Sequence, residues 1–175
     1  MFRIGWAEKM RVRLLEERDF EAFRTLFDEA FSEYLEFLRH ENHEQFLQEI
    51  AEREEVTREG FDFYLKTGTT FVAEEEGKVI GYVASQTVPS LQGVNKELWI
   101  AFIVVQKKFR RQRIGLALLA KLQSCAREAG IERLYSTINP NNPESIGLHR
   151  KAGFEVKDWK IATYNVKIKK RESVF

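Results

Sequence analysis

The sequence has a single cysteine, Cys125, so no internal disulfide can form. Cys125 falls at helical spacing with Leu118, Leu122 and Ala129, which reads as a small core residue rather than a nucleophile. No apolar run approaches the ~20 residues a membrane-spanning helix needs. The first ten residues, MFRIGWAEKM, lack the apolar core of a signal peptide. The expectation is a soluble, cytoplasmic protein with no membrane partner. A formal net charge of +1 gives no whole-molecule attraction for nucleic acid. Repeats, low-complexity tracts and linker-like stretches are absent. So are the GxxxxGK(S/T) and GxGxxG nucleotide fingerprints.

What is present reads as one folded domain. The 175 residues, 43% hydrophobic and 31% charged, suffice for a real core. A single domain over 1–175 is expected, with 1–10 as a flexible extension. The near-zero net charge hides an asymmetry. Acidic residues crowd the stretch from Asp28 to Glu59, and Lys and Arg dominate from Gln106 onward. Acidic helix faces are ordinarily solvated surface. A chain with one anionic and one cationic region can also hold an anionic cofactor near a cationic substrate.

Periodicity outlines the elements. RVRLLEERD alternates as a strand, with Asp19 placed to cap the helix that follows. Phe20, Phe23, Leu26, Phe27, Ala30, Phe31, Tyr34 and Leu35 share one side of that amphipathic helix. Residues 42–66 read as further helix, broken by Gly68. TTFVAEEEGKVIGYVASQTV contains two strands meeting at Glu76-Gly77, a hairpin. ELWIAFIVV is nearly continuous apolar sequence, as in a central strand buried on both faces. A helix then runs to a stop at Gly130. ERLYSTIN is a strand, PNNP a turn and ESIGLHRKA a short helix ending at Gly153; FEVKDWKIATYNVKIK supplies one or two closing strands. The order predicts an α/β (α+β) fold.

The stretch FRRQRIG poses a problem of charge. Arg110, Arg111 and Arg113 precede a helix whose N-terminus already carries partial positive charge. They repel one another and the dipole unless an anion joins them. Strand, polar loop and helix is also the order in which free backbone N–H groups cradle anions, and arginine pairs directionally with phosphate.

IVVQKKFRRQRIGLALL followed by NPESIGLHRKAGF resembles the GNAT superfamily of acetyl-CoA-dependent N-acetyltransferases. The family's loop has the form Q/R-x-x-G-x-G/A, in which Arg110 matches the first position and Gly115 the last. Its later motif, N-x-x-A-x-x-L-Y-x-K-x-G-F, is matched by Asn142, Ser145, Leu148, Lys151, Gly153 and Phe154, with Ser for Ala. The resemblance covers 103–154 closely. It implies a mixed, mostly antiparallel central sheet with helices on both faces, acetyl-CoA as donor cosubstrate and a primary amine as acceptor. It implies that main-chain groups of Ile103, Val104 and Val105 hold the pantetheine arm and thioester. It implies that amides of Arg111, Gln112, Arg113, Ile114, Gly115 and Leu116 hold the pyrophosphate. Arg110, Asn142 and Lys151 complete the expected cofactor set. A donor aimed at the thioester oxygen would stabilise the developing oxyanion.

The sequence departs from the family pattern at the loop's first glycine, occupied by Arg113, and at the usual tyrosine, occupied by His149. That tyrosine protonates the leaving thiolate in the family. Histidine can donate a proton near neutrality, so His149 is a candidate acid; a plain helix position is the other reading. The glutamate that serves as base in histone-acetyltransferase-like members corresponds to Trp99. Glu97, two residues earlier on the same strand face, is the candidate base through water, against a plain reading as a solvated carboxylate. Glu74, Glu75 and Tyr164 are weaker candidates. Positioning two substrates together can itself supply much of the rate.

HENHE, residues 40–44, has two histidines three apart and no third ligand fixed by spacing, so no metal site is expected. In the family the first helices border the acceptor site. There His40, Glu41 and Glu44 would favour a cationic amine such as a polyamine, lysine or protein N-terminus. Two readings from other classes stand beside the enzyme. One is an acyl-CoA-binding sensor or partner-binding domain without catalysis. The other is a nucleic-acid module, disfavoured because aromatics do not interleave with the basic residues. Homodimerisation through the last strand is a further expectation.

Overall fold

A computed structural model of the chain describes residues 10–40, 56–90 and 96–158, with side chains to residue 36 in the first segment. Among the described residues five strands form one sheet in the order β1 to β5: β1 Met10–Leu14, β2 Phe71–Glu75, β3 Lys78–Pro89, β4 Lys96–Val105 and β5 Leu134–Ser136. The first four are antiparallel; β5 joins β4 in parallel. They are accompanied by the helices α1 Phe20–His40, α2 Arg58–Thr67, α3 Ile114–Glu128 and α4 Pro143–Lys151. The expected mixed sheet with helices on both faces is what forms.

Each face has its own core. Leu118, Leu119 and Leu122 of α3 pack with Phe71, Val83, Leu98 and Ile100 on one side. Phe23 and Leu26 of α1 and Phe61 of α2 pack with Val72, Tyr82 and Val104 on the other. Burying side chains of this size is worth ~1.5–3 kcal/mol each, and α1 and α2 expose their polar residues outward.

Gly81 of β3 is fixed by close approach, because a Cβ there would stand 2.7 Å from the Val104 carbonyl. The β3–β4 register shifts between Ala84 and Ser85, leaving Ala101 without a partner in β3. This bulge inverts the alternation of β4. Before it Leu98 and Ile100 face α3; after it Ile103 and Val105 do. Glu97 and Trp99 therefore share their face with Phe102 and Val104, the face covered by α1 and α2.

Two expectations change. Asp19 closes a short 3-10 turn, Glu17–Asp19, ahead of α1. Its carboxylate accepts from the Glu16 N–H at 2.9 Å and from Arg13. Buried between them, it anchors the turn. The helix expected over 42–66 is seen as α2; residues 41–55 lie outside the described residues, as do 1–9, 91–95 and the closing strands beyond 158.

Candidate functional site

The site is built where β4 loses its neighbour. β5 pairs only with Leu98, Trp99 and Ile100. From the bulge at Ala101 onward, β4 has an open edge among the described residues. The Gln106 N–H donates to the Ile80 carbonyl, which sets the phase of the ladder. By antiparallel alternation, the backbone groups of Val104 pair with Tyr82 of β3, whereas those of Ile103 and Val105 turn outward. This corrects the expectation for Val104, whose main chain is committed to the sheet. Ile103 and Val105 supply the free edge.

The loop then turns sharply into α3. Arg111 and Arg113 both adopt left-handed backbone, each with φ of 64°. Arg113 thus keeps the conformation that glycine takes without strain. It is the N-cap of α3 but gives no side-chain cap, and the first turn of the helix holds no acidic residue. The first intrahelical bond is Ala117 N–H to Arg113 O. The N–H groups of Ile114, Gly115 and Leu116 have no acceptor among the described residues, which is how a helix end meets an anion. Ile114 and Gly115 are buried, and a Cβ on Gly115 would press on Leu148 of α4 at 3.0 Å. Gly115 thus brings α4 against the start of α3.

The three arginines divide their work. Arg110 turns away from the helix end: its Nε donates to the Val105 carbonyl at 2.9 Å, and its Nη2 meets Glu33 of α1 at 2.7 Å. The expectation that its side chain faces the anion is corrected, since strand end and helix already occupy it. Arg111 lies 3.4 Å from Glu144 with both groups exposed. Gln112 reaches the Lys108 carbonyl at 3.4 Å. Arg113 is exposed, with no side-chain partner among the described residues. Asn142 caps α4, its Oδ1 accepting from the Ser145 N–H at 2.9 Å, with Pro143 following at the first position. That oxygen serves the helix. Lys151 is exposed in the last turn of α4, where a cation suits the dipole.

His149 is 1% exposed and packs edge-on against Phe154 at 5.2 Å. Its Nδ1 lies 2.8 Å from the Ser145 carbonyl. A carbonyl can only accept, so Nδ1 carries the proton and Nε2 of the neutral ring is a bare acceptor. Nε2 is buried and finds no partner among the described residues. Glu97 is 8% exposed, and its Oε1 pairs with Arg133 at 3.1 Å. Six residues separate it from Ile103, about 20 Å of extended strand. Tyr135 lies opposite Trp99, with ring centroids 5.3 Å apart. Burial, then the Glu97 charge, pushes its phenol above the ordinary range. Sequence reasoning passed over Tyr135 because its place beside Trp99 depends on the parallel pairing of β4 and β5.

Glu74, named above as a weaker candidate base, has its carboxylate held by two arginines. Arg13 binds it at 2.6 Å and Arg11 binds it at 2.6 Å, and Arg13 also grips Asp19 at 2.7 Å. Hydrogen bonds from Arg13 hold the Glu74 carboxyl below the usual carboxylate range. This network ties β1, β2 and the 3-10 turn together. Glu75 ends β2 opposite Met10 and Lys78, beside the hairpin turn. Tyr164, Glu41, His43 and Glu44 lie outside the described residues, as does the side chain of His40. Among the described residues no helix is long and apolar enough to cross a membrane.

The Acetyltransferase (GNAT) family model matches residues 15–154. The chain is 32% identical over 81 residues to an L-2,4-diaminobutyric acid acetyltransferase of Nocardia farcinica, covering 46% of this chain and 40% of the relative. It is 33% identical over 95 residues to GCN5-related N-acetyltransferase 6, chloroplastic, of Arabidopsis thaliana, covering 53% and 31%. These matches span less than half of either curated relative. Among solved structures, an aminoglycoside acetyltransferase from an uncultured soil metagenomic sample, in complex with trehalose, superposes with a TM-score of 0.70 at 17% identity, covering 92% of this chain and 98% of that one. Aminoglycoside N-acetyltransferase AAC(6')-Iy in complex with CoA superposes with a TM-score of 0.68 at 18% identity, covering 91% and 95%. At such identities these structures share the fold.

Proposed function

The chain belongs to the GNAT acetyltransferase family, and from that premise we propose that it is an N-acetyltransferase. It would transfer the acetyl group of acetyl-CoA to a primary amine by direct attack in a ternary complex. The observation that carries this reading is the uncapped start of α3, with N–H groups of Ile114, Gly115 and Leu116 unused, directly beyond the open edge at Ile103 and Val105. The helix end suits the pyrophosphate, Arg111 and Arg113 supply positive charge, and the strand edge suits the amides of the pantetheine arm. The amine nitrogen attacks the thioester carbon, the carbon–sulfur bond breaks, and the thiolate takes a proton.

Two residues are assigned to the protons. Glu97, about 20 Å along β4 from Ile103, would accept the ammonium proton only through a chain of waters. Glu97→Gln should then flatten the acid limb of the kcat/KM profile, and an unchanged profile removes it from the reaction. His149 would donate to the thiolate only as the imidazolium, since the neutral ring carries its proton on Nδ1. His149→Phe should lower kcat more than it weakens acetyl-CoA, and a near-normal kcat excludes the role. The diaminobutyrate acetyltransferase relative and the acidic α1 support a cationic acceptor. Acetyl-CoA consumption over diamines, aminoglycosides, lysine peptides and peptide N-termini tests this; preference for neutral or acidic amines overturns it. A second reading, an acyl-CoA-binding domain without catalysis, is favoured by Trp99 at the base position and by the Arg133–Glu97 pair. Acetyl-CoA binding without turnover on the whole panel would select it. We also propose a cytoplasmic setting; homodimerisation is tested by sedimentation.

A further inference from the structure

We propose that Arg110, held by Glu33 of α1, is a positioning residue that sets the open edge of β4 for the donor substrate. This rests on the assignment of that edge to acetyl-CoA. The outward phase of β4 exposes the N–H and C=O of Ile103 and Val105. Arg110 Nε takes one of these four groups, the Val105 carbonyl, at 2.9 Å. A pantetheine arm lying on the edge is thereby offered Ile103 and the Val105 N–H, and the edge has one register. The other end of the same guanidinium meets Glu33 Oε2 at 2.7 Å, and Lys107 approaches Glu33 Oε1 at 3.8 Å. The guanidinium is planar and fixed in its fork, so Glu33 sets the direction from which Nε reaches Val105.

Glu33 stands on the helix that covers the opposite face of the sheet from α3. Phe23 and Leu26 of the same helix pack on Tyr82 and Val104, and Phe27 lies edge-on to Phe102 at 5.3 Å. The link from α1 through Glu33 and Arg110 to Val105 therefore joins the layer bordering the acceptor to the strand end receiving the donor. Two effects of removing the Glu33 charge oppose each other. Losing the carboxylate would favour an incoming pyrophosphate, but the pair is about one-third to two-fifths exposed, so solvent and salt weaken its field on any charge it does not touch. Losing the tether acts directly on a hydrogen-bonding group of the edge. The tether therefore wins.

The test measures CoA and acetyl-CoA affinity by calorimetry, with steady-state kinetics beside it, for the wild type, Glu33→Gln, Arg110→Lys and the double variant. Glu33→Gln should weaken acetyl-CoA about threefold to fivefold, the upper range for an exposed pair, with the loss in KM for acetyl-CoA rather than in the acceptor's KM. The double variant should bind as Arg110→Lys does, because the two residues act as one unit. Independent, multiplying losses overturn the proposal, as does unchanged or tighter binding by Glu33→Gln. A loss confined to the acceptor's KM overturns it too, since Glu33 would then face the amine. Failure of the wild type to bind CoA would instead reject the acetyl-CoA assignment itself.

Discussion

Replacing Arg113 by glycine should stabilise the protein. Arg113 has φ of 64° and ψ of 11°, a conformation that costs an L-residue ~1–2 kcal/mol. Its side chain is exposed and has no hydrogen bond or ion pair to lose among the described residues. Glycine adopts the same angles without strain but adds unfolded-state entropy worth about 0.4–1 kcal/mol. The balance is a gain of roughly 0.5–1 kcal/mol, or about 1–4 °C in Tm for a domain of this size. The control is Arg113→Ala, which removes the guanidinium and its repulsion with the helix end, as glycine does, but keeps the Cβ and the strain, so the glycine variant should melt above the alanine variant by that margin. Thermal melts without ligand compare the three. Equal Tm values for the glycine and alanine variants would refute the strain argument, and a lower value for glycine would reverse it. Repeating the melts with CoA isolates the side chain: where the guanidinium meets phosphate, both variants lose the same part of the ligand-induced shift.

Further outcomes follow from the two cores. Tyr82 is buried and its hydroxyl has no partner among the described residues; burial pushes its phenol far above the ordinary range. An unsatisfied buried hydroxyl costs about 1–3 kcal/mol, so Tyr82→Phe should raise the urea midpoint at an unchanged m-value. Glu74→Gln should destabilise by about 1.5–3 kcal/mol at pH 7, the scale of hydrogen bonds to a charged group. The folded-state pKa of Glu74 is lowered, so its contribution is present above the unfolded value near 4.5 and is lost as pH falls through the lowered one. Wild type and variant should therefore converge in stability in acid, as read by denaturant titrations from pH 7 to 3. Gly115→Ala should push Leu148 away from the start of α3 and weaken CoA binding measured by calorimetry, whereas Gly147→Ala, with open space at its Cβ, should leave that binding unchanged.

The sequence by itself determined the element order, the hairpin at Glu76-Gly77, the amphipathic α1 and the strand–loop–helix around FRRQRIG. These are local: periodicity, turn chemistry and caps act within a few residues, and Asn142 and Gly153 stand where such signals place them. Tertiary structure decided what depends on a neighbour distant in the chain. Which backbone groups of β4 are free follows from its phase against β3, so Val104 could not be told from Ile103 and Val105 in a uniformly apolar run. Ala101 leaves no mark in the sequence as a bulge, yet it turns Glu97 and Trp99 to the face of Phe102. Arg110, Arg111 and Arg113 look alike as letters. Glu33 draws the first to the strand end, 77 positions along the chain from its own place in α1. The third is left facing solvent in a left-handed backbone because the chain must turn there to start α3. Charge pairing and ladder phase act across space, and only the fold brings those partners together.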